Sequence, residues 1–367
     1  MEGLGVLTVS DTRRLPGLDG LRAVAVLLVI FHHLCSQGTF RAWPGVARVL
    51  QQGSFGVQVF FVLSGFLITW LLLREQTRTG AIDLRRFYVR RSLRILPPAL
   101  FYLTVIALLT ASGWISVGRR DLVFSFLFIR NAFGDGGSPE VAHFWSLAVE
   151  EQFYLTWPFI VLFVHGPRRL AFTAAVVLLL AAWRATGLWH FGVTAAGAEA
   201  LLLGCLLAQV RHAYPGALVI QSPRVRVLVL LSGVGVVALA VFAATPDLRD
   251  AGLVQSIAIL GVAVVVNAVV DGKAGRASAF LDAAPVQWIG RLSYSLYLWQ
   301  QLFCWSRLSG PNAEGAWPLL LAASFMCAAT SYYMVEGPAL AWRERLEGNA
   351  LPAAAWTHPV HAREPSS

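Results

Sequence analysis

The sequence has 367 residues, of which 57% are hydrophobic and only 13% are charged. A soluble globular domain carries about 25% charged residues, so this composition excludes an ordinary soluble domain and indicates an integral membrane protein. The formal net charge of +9 does not indicate nucleic-acid binding, because the basic residues lie in short segments between apolar runs and not on one face or tail.

The apolar runs predict an all-α, polytopic bundle of about ten membrane-spanning helices. The predicted spans lie near residues 19–37, 53–73, 95–113, 144–164, 170–190, 194–210, 227–245, 251–270, 290–308 and 316–335. The stretch from Leu122 to Ile129 is apolar but too short to cross, so we expect an outer-face or re-entrant segment there. The prediction is therefore one transmembrane domain over residues 1–345, followed by a polar, disordered cytoplasmic tail over residues 346–367.

The positions of the basic residues predict the orientation of the chain. With the N-terminus inside, about nineteen basic residues fall in cytoplasmic segments and about seven fall outside. The contrast is strongest in the loop after the second span, which holds seven arginines between Arg74 and Arg94. Both termini are therefore predicted to be cytoplasmic, with the segment from Gly134 to Ser138 outside.

The first predicted span, LDGLRAVAVLLVIFHHL, carries Arg22 and His33 eleven positions apart. Eleven steps make about three helical turns, so both side chains lie on one face with a rise of about 16 Å between them. Ionisable groups inside a membrane span are costly and usually mark a functional site. The alternative is that Arg22 snorkels to the headgroups while His33 lies in the outer interface. His32 lies on a different face and is expected to pack, and Asp19 is expected to cap the helix.

Two pairs of residues follow before the fourth span. Ser64 and Gly65, in LSGF, are predicted to permit close helix packing. A role of Ser64 as a nucleophile is not expected, because no GxSxG elbow surrounds it.

Arg91 and Arg94 are three positions apart, so they share a helix face if the third span begins within the arginine-rich loop. Plain positive-inside topology is the alternative explanation of that pair.

Five strings of the sequence together resemble the membrane acyltransferase-3 family, namely GLDGLRAVAVLLVIFHH, VQVFFVLSGFLIT, FYVRRSLRILPPAL, HFWSLAVEEQFYLTWP and RLSYSLYLW. They occur in the family's order and extend from residue 17 to residue 299. Members of this family are integral-membrane proteins that transfer an acyl group, often acetyl, to the hydroxyl of a sugar or a similar acceptor. The resemblance places the family's signature of arginine or lysine, ten residues and histidine on Arg22 and His33, and its RxxR signature on Arg91 and Arg94.

The sequence departs from the family pattern in two ways. Gln300 stands where the family string SYSLYLWH ends in histidine. This chain is therefore expected to do without that histidine, or to use Gln300 only as a hydrogen-bonding group. The sequence also ends after the tenth predicted span, without the SGNH hydrolase-like domain that some relatives carry, so a second acyl transfer that requires that domain is not expected of this polypeptide.

Acyl-CoA is the donor that the resemblance implies, and its shape matches the spacing of the charged residues. It is polyanionic at one end and carries its thioester at the tip of a long pantetheine arm, so its site needs cations at the cytoplasmic mouth and an acid/base group deeper in. We expect Arg22, Arg91 and Arg94 to bind the CoA phosphates. The rise of about 16 Å from Arg22 to His33 is of the order of an extended pantetheine arm. His33 is expected to be the general base, because an imidazole with an intrinsic pKa of about 6.5 can accept a hydroxyl proton at neutral pH.

The fourth predicted span carries two adjacent acids, Glu150 and Glu151, in WSLAVEEQFYLTWP. Neighbouring residues of a helix point in different directions. One glutamate is therefore expected to face the cavity and orient His33 or the acceptor. The other is expected to pair with a buried arginine, for which Arg184 in the fifth span is the candidate.

The sequence thus predicts a multi-pass O-acyltransferase of a bacterial cell membrane, with His33, Glu150 and Glu151 as catalytic residues. The acceptor would be a sugar, a glycan or a glycosylated small molecule such as a macrolide. No metal is expected, because the four cysteines lie far apart without CxxC spacing. The alternatives are a transporter or flippase of an acylated or lipid-linked glycan, and a non-catalytic membrane partner of a polysaccharide assembly complex. The absence of a visible internal repeat favours the enzyme over the transporter.

Overall fold

The computed structural model describes residues 17–133, 137–186, 192–242, 252–270, 275–305 and 313–348, and within these ranges it contains helices and no strand. The helices are α1 (Leu18–Ser36), α2 (Pro44–Leu50), α3 (Phe55–Thr79), α4 (Leu84–Ala111), α5 (Arg119–Phe126), α6 (Phe144–Phe163), α7 (Gly166–Ala185), α8 (Gly192–Ala213), α9 (Pro223–Phe242), α10 (Gly252–Val270), α11 (Gly275–Leu281), α12 (Ala284–Cys304), α13 (Ala313–Ser331) and α14 (Gly337–Gly348). A π-helical segment, Tyr332–Glu336, joins α13 to α14, and 3₁₀ turns lie at Arg130–Ala132 and Pro139–Val141. The predicted all-α architecture is confirmed.

Eight helical segments of the described chain are long and apolar enough to cross a membrane. They coincide with most or all of α1, α3, α4, α7, α8, α9, α10 and α13. The other two predicted spans form α6 and α12, helices of 20 and 21 residues that carry more polar side chains. The count of ten spans and the inward orientation of the termini stay predictions. Of the predicted tail, residues 346–348 belong to α14 and the remainder lies outside the described residues.

Helix α1 packs between α3 and α12, and α3 makes its most extensive contacts with α8. A Cβ atom at Gly65 of α3 would collide with the backbone of Leu201 in α8, and one at Gly204 of α8 would collide with the carbonyl of Val62. These small residues allow the two helix backbones to approach closely. The packing role predicted for Gly65 is therefore confirmed.

The start of α1 is fixed by a tertiary contact. Gly17 occupies the N-cap position with a φ of 74°, and no side chain caps the helix. Its N–H donates to Oδ1 of Asp282, at 3.1 Å. The expectation that Asp19 caps α1 is wrong, because Asp19 lies within the first turn, where its charge faces the positive end of the helix dipole.

Helix α4 begins well before its apolar part. Asp83 is its N-cap and accepts a hydrogen bond from the N–H of Arg86 at 2.9 Å. Arg91 and Arg94 are consequently helical, as expected if the third span begins in the arginine-rich loop. The short helix α5 contains eight residues and is joined to the 3₁₀ turn after it by an ion pair between Asp121 and Arg130, at 3.1 Å. This short segment does not cross the bundle, as predicted for Leu122 to Ile129.

Candidate active site

His33 of α1 faces Gln300 of α12. The distance between His33 Nδ1 and Gln300 Oε1 is 2.7 Å. Gln300 is fully buried, and its Nε2 donates to the carbonyl of Tyr297 and to Oε1 of Gln301, each at 3.3 Å. Because the amide nitrogen faces two acceptors, Oε1 is left to accept from the imidazole, so Nδ1 carries the hydrogen. The lone pair is then on Nε2, which makes no hydrogen bond with any residue that the structure describes.

His33 lines a cavity of about 320 Å³. Polar and aromatic groups in its wall include His32, His143, Tyr297, Gln301 and Trp305. The ring of Trp305 lies 4.5 Å from that of His33, centroid to centroid, at an angle of 63°. Sequence reasoning singled out neither His143 nor Trp305, because aromatic residues near the ends of apolar spans usually form an interfacial belt.

His32 lies beside His33 instead of facing another direction. The two rings are 5.5 Å apart and both line the cavity, which corrects the expectation that His32 points away from the site. Trp305, just after the end of α12, also stacks on His32 with centroids 6.2 Å apart. Nδ1 of His32 lies 2.7 Å from the carbonyl oxygen of Gln51. That bond ties His32 to the chain before α3 and fits the packing role expected of it.

The three arginines of the two signatures lie close together, about three turns of α1 from His33. Nε of Arg22 donates to Oγ of Ser293 at 3.1 Å. Arg91 lies over the ring of Tyr154, 5.2 Å from its centroid. Arg94 is near enough to Arg22 and Arg91 to interact electrostatically with both. None of the three forms an ion pair within 4.0 Å among the described residues.

Two carboxylates, one half-buried and one buried, accompany these arginines. Glu150 Oε1 accepts a hydrogen bond from the hydroxyl of Ser64 at 2.5 Å, and Glu150 interacts electrostatically with Arg22 and Arg91. Glu336, in the π-helical segment, accepts from Ser295 at 2.9 Å and faces Arg22 and Arg94. Sequence reasoning missed Glu336, although an acid directly after the last predicted span, 316–335, was the signal that could have found it.

The adjacent glutamates have different surroundings. Oε1 of Glu151 is buried without a hydrogen-bond partner in the described part of the chain, whereas Glu150 contacts Ser64. Neither contacts His33, which is oriented by Gln300. The expectation that Arg184 pairs with one of them is also wrong, because α7 packs on α8 and places Arg184 against Glu199.

The described residues contain no group of three or more His, Cys, Asp or Glu side chains that could hold a metal ion. The polar groups near His33 are instead imidazoles, amides and hydroxyls. Such groups can donate and accept hydrogen bonds, and a neutral imidazole can also accept a proton, while arginine side chains can pair with anions. The geometry therefore places an imidazole next to a cavity and three arginines about three turns of α1 away.

Several known proteins are similar in sequence to this chain over most of its length. The model of the acyltransferase-3 family, described as an acyltransferase domain, matches residues 15–336. An O-acetyltransferase OatA of Staphylococcus aureus is 33% identical over 320 residues, covering 78% of this chain and 50% of its own length. The peptidoglycan O-acetyltransferase OatA of Listeria monocytogenes is 32% identical over 359 residues, covering 88% of this chain and 55% of its own length. The chain thus spans about half the length of these relatives, and no solved structure matches it.

Proposed function

Because this chain belongs to the acyltransferase-3 family, we propose that it is a membrane O-acyltransferase that moves an acetyl group from acyl-CoA to a hydroxyl of a glycan. The names of the relatives support acetyl as the group and peptidoglycan as the class of acceptor. The apolar helices support a multi-pass membrane protein, and we propose that its membrane is the cell membrane of a bacterium.

The contact between His33 and Gln300 is the observation that carries the proposal. Gln300 holds the hydrogen of His33 on Nδ1, so Nε2 faces the reaction as a base. In the proposed step Nε2 takes the proton of the acceptor hydroxyl while its oxygen bonds to the thioester carbonyl carbon. The carbon–sulfur bond then breaks, and the departing CoA sulfur takes the proton back from the imidazolium. The products are an O-acetyl ester and CoA.

The arginine end of the bundle, which is the end that carries Arg22, Arg91 and Arg94, supports the choice of donor. These three side chains lie close together and would bind the phosphates of CoA by charge-assisted hydrogen bonds. Since α1 rises about 16 Å from Arg22 to His33, a pantetheine arm held at this end would bring its thioester to the level of the imidazole. Glu150 and Glu336 would hold the arginines in place when no donor is bound.

The proposal is tested with purified protein in lipid vesicles, acetyl-CoA labelled in the acetyl group, and GlcNAc–MurNAc fragments of peptidoglycan as the acceptor. We expect label on the saccharide, removable by mild alkali as an ester is, and none with His33→Ala. If the label stays on CoA while an already acetylated saccharide crosses the vesicle membrane, the protein is a transporter and the proposal is wrong.

A further inference from the structure

A second histidine, His143, lies in the wall of the same cavity as His33. It is the N-cap residue of α6 and is 3% exposed. Its ring is held between aromatic rings, with centroids 5.4 Å from Tyr102, 4.9 Å from Phe144 and 5.6 Å from Tyr297. These contacts fix the orientation of the imidazole on the cavity wall.

Neither ring nitrogen of His143 has a hydrogen-bond partner among the residues that the structure describes. The hydroxyls beside it are already committed, because Tyr297 bonds to Ser146 at 2.6 Å and Tyr102 donates to the carbonyl of Glu140 at 2.6 Å. A buried polar group left without a partner costs free energy, so such groups in proteins are normally hydrogen-bonded. The two nitrogens therefore indicate a binding partner that enters through the cavity.

The cavity wall contains one more buried polar atom without a hydrogen-bond partner among the described residues. Oε1 of Gln58, on α3, is buried without a partner in the described chain. Trp145 and Trp305 also line this cavity and present flat apolar rings. A neutral imidazole supplies one donor and one acceptor, and an amide oxygen supplies an acceptor. Hydroxyl groups, which both donate and accept, match this set, and the apolar face of a sugar ring matches the tryptophans.

We infer that His143 and Gln58 bind hydroxyl groups of a carbohydrate acceptor and thereby hold its reacting hydroxyl against Nε2 of His33. This inference rests on the proposed function, because it makes the cavity the acceptor site of the transferase. His143 lies in the cavity wall beside His33, away from the three arginines proposed to bind the donor's phosphates, so we expect its loss to affect the acceptor more than the donor.

The test compares His143→Phe, which keeps an aromatic ring and removes both nitrogens, with the conservative His143→Asn. The control is His165→Phe, because His165 is also an N-cap residue, of α7, but is exposed and lies outside the cavity. Gln58→Leu is a second variant, which removes the other unused group without touching α6. Binding of the GlcNAc–MurNAc disaccharide to each purified protein is measured by calorimetry without donor, and the KM values for saccharide and acetyl-CoA are measured separately.

We expect His143→Phe to weaken disaccharide binding and raise the acceptor KM at least tenfold, with the KM for acetyl-CoA within twofold of the unaltered protein. His143→Asn should recover part of the loss, Gln58→Leu should show a smaller defect of the same kind, and His165→Phe should show none. A purely structural role would instead alter both KM values or the yield of folded protein, and would overturn the inference.

The outcomes separate this inference from the proposed function. Equal disaccharide binding by the unaltered protein and His143→Phe overturns the inference, even if acetyl transfer is observed. Failure of the unaltered protein to bind the disaccharide also overturns it. If the protein binds the disaccharide through His143 but transfers no acetyl group, the proposed function fails while the saccharide site stands.

Discussion

Gln300 Oε1 accepts the hydrogen of His33 Nδ1 over 2.7 Å, from a position on α12 that is 267 residues away in the sequence. The amide nitrogen of the same glutamine donates to the carbonyl of Tyr297 and to Gln301, so the amide cannot turn over without losing these bonds. An amide thus orients the imidazole where a histidine stands in the family pattern. The contact supports the expected use of Gln300 as a hydrogen-bonding group.

Replacing Gln300 tests this orientation. Gln300→Ala removes the acceptor of the Nδ1 hydrogen, and an unmade buried hydrogen bond costs about 1–3 kcal/mol. If that cost falls on the transition state, kcat for acetyl transfer should drop about ten- to hundredfold, with both KM values little changed. Gln287→Ala, on the same helix and outside the cavity, should leave kcat unaltered. An unaltered kcat in Gln300→Ala would show that His33 does not need this bond.

The assignment of the base is tested with the two adjacent histidines. His33→Ala should lower the rate of acetyl transfer about 10²- to 10⁴-fold. Binding of acyl-CoA should be preserved, because the arginines lie about three turns of α1 away. His32→Ala should cost much less, since Nδ1 of His32 is occupied by the carbonyl of Gln51. The measurement is transfer of labelled acetyl by each variant at matched protein levels. A greater loss in His32→Ala than in His33→Ala would contradict the assignment.

The arginine end is tested by binding of the donor. Replacing Arg91 and Arg94 together by Gln should weaken acyl-CoA binding, because each charge-assisted hydrogen bond to a phosphate contributes about 1.5–3 kcal/mol, or about ten- to a hundredfold in affinity. Arg168→Gln removes an exposed charge from α7 and should leave binding unchanged. If the double variant expresses poorly while the remaining folded protein binds acyl-CoA normally, the pair serves topology alone.

The hydrogen bond between Ser64 and Glu150 makes the two adjacent glutamates distinguishable. Ser64→Ala removes the hydroxyl that donates to Glu150, so we expect the free energy of unfolding to fall by about 1–3 kcal/mol. Glu151→Gln removes the charge of a side chain whose Oε1 has no partner in the described chain, and should not lower stability. Apparent melting temperatures in detergent would compare them. A larger loss for Glu151→Gln would mean that the partners of the two residues have been assigned the wrong way round.

The orientation in the membrane is tested by cysteine labelling in a variant without its native cysteines. A cysteine at Arg85, which is exposed at the start of α4, should be reached by an impermeant reagent only after the membrane is opened. A cysteine at Ser112, exposed at the other end of α4, should be labelled in intact cells. Labelling of residue 85 from outside would show that the predicted orientation is wrong, and acyl-CoA could then not enter from the cytoplasm at the arginine end.

The sequence predicted the helical class, the short segment around Leu122 and the helical location of Arg91 and Arg94, because these depend on local composition. Runs of apolar residues and clusters of arginine are local patterns, which can be identified in the sequence without knowing what they contact in the folded protein. The eleven-residue spacing also placed Arg22 and His33 on one helix, since helical geometry fixes their relative positions once α1 is known.

The tertiary structure decided which side chains meet. Sequence spacing could not show the contact of Gln300 with His33 or the ion pair of Glu199 with Arg184, because each joins different parts of the bundle. The same holds for the hydrogen bond by which Asp282 fixes the start of α1. The separate environments of Glu150 and Glu151 and the unused nitrogens of His143 likewise depend on what other helices bring near them. Periodicity along one helix determines the direction of a side chain, and only the packing of the helices determines its partner.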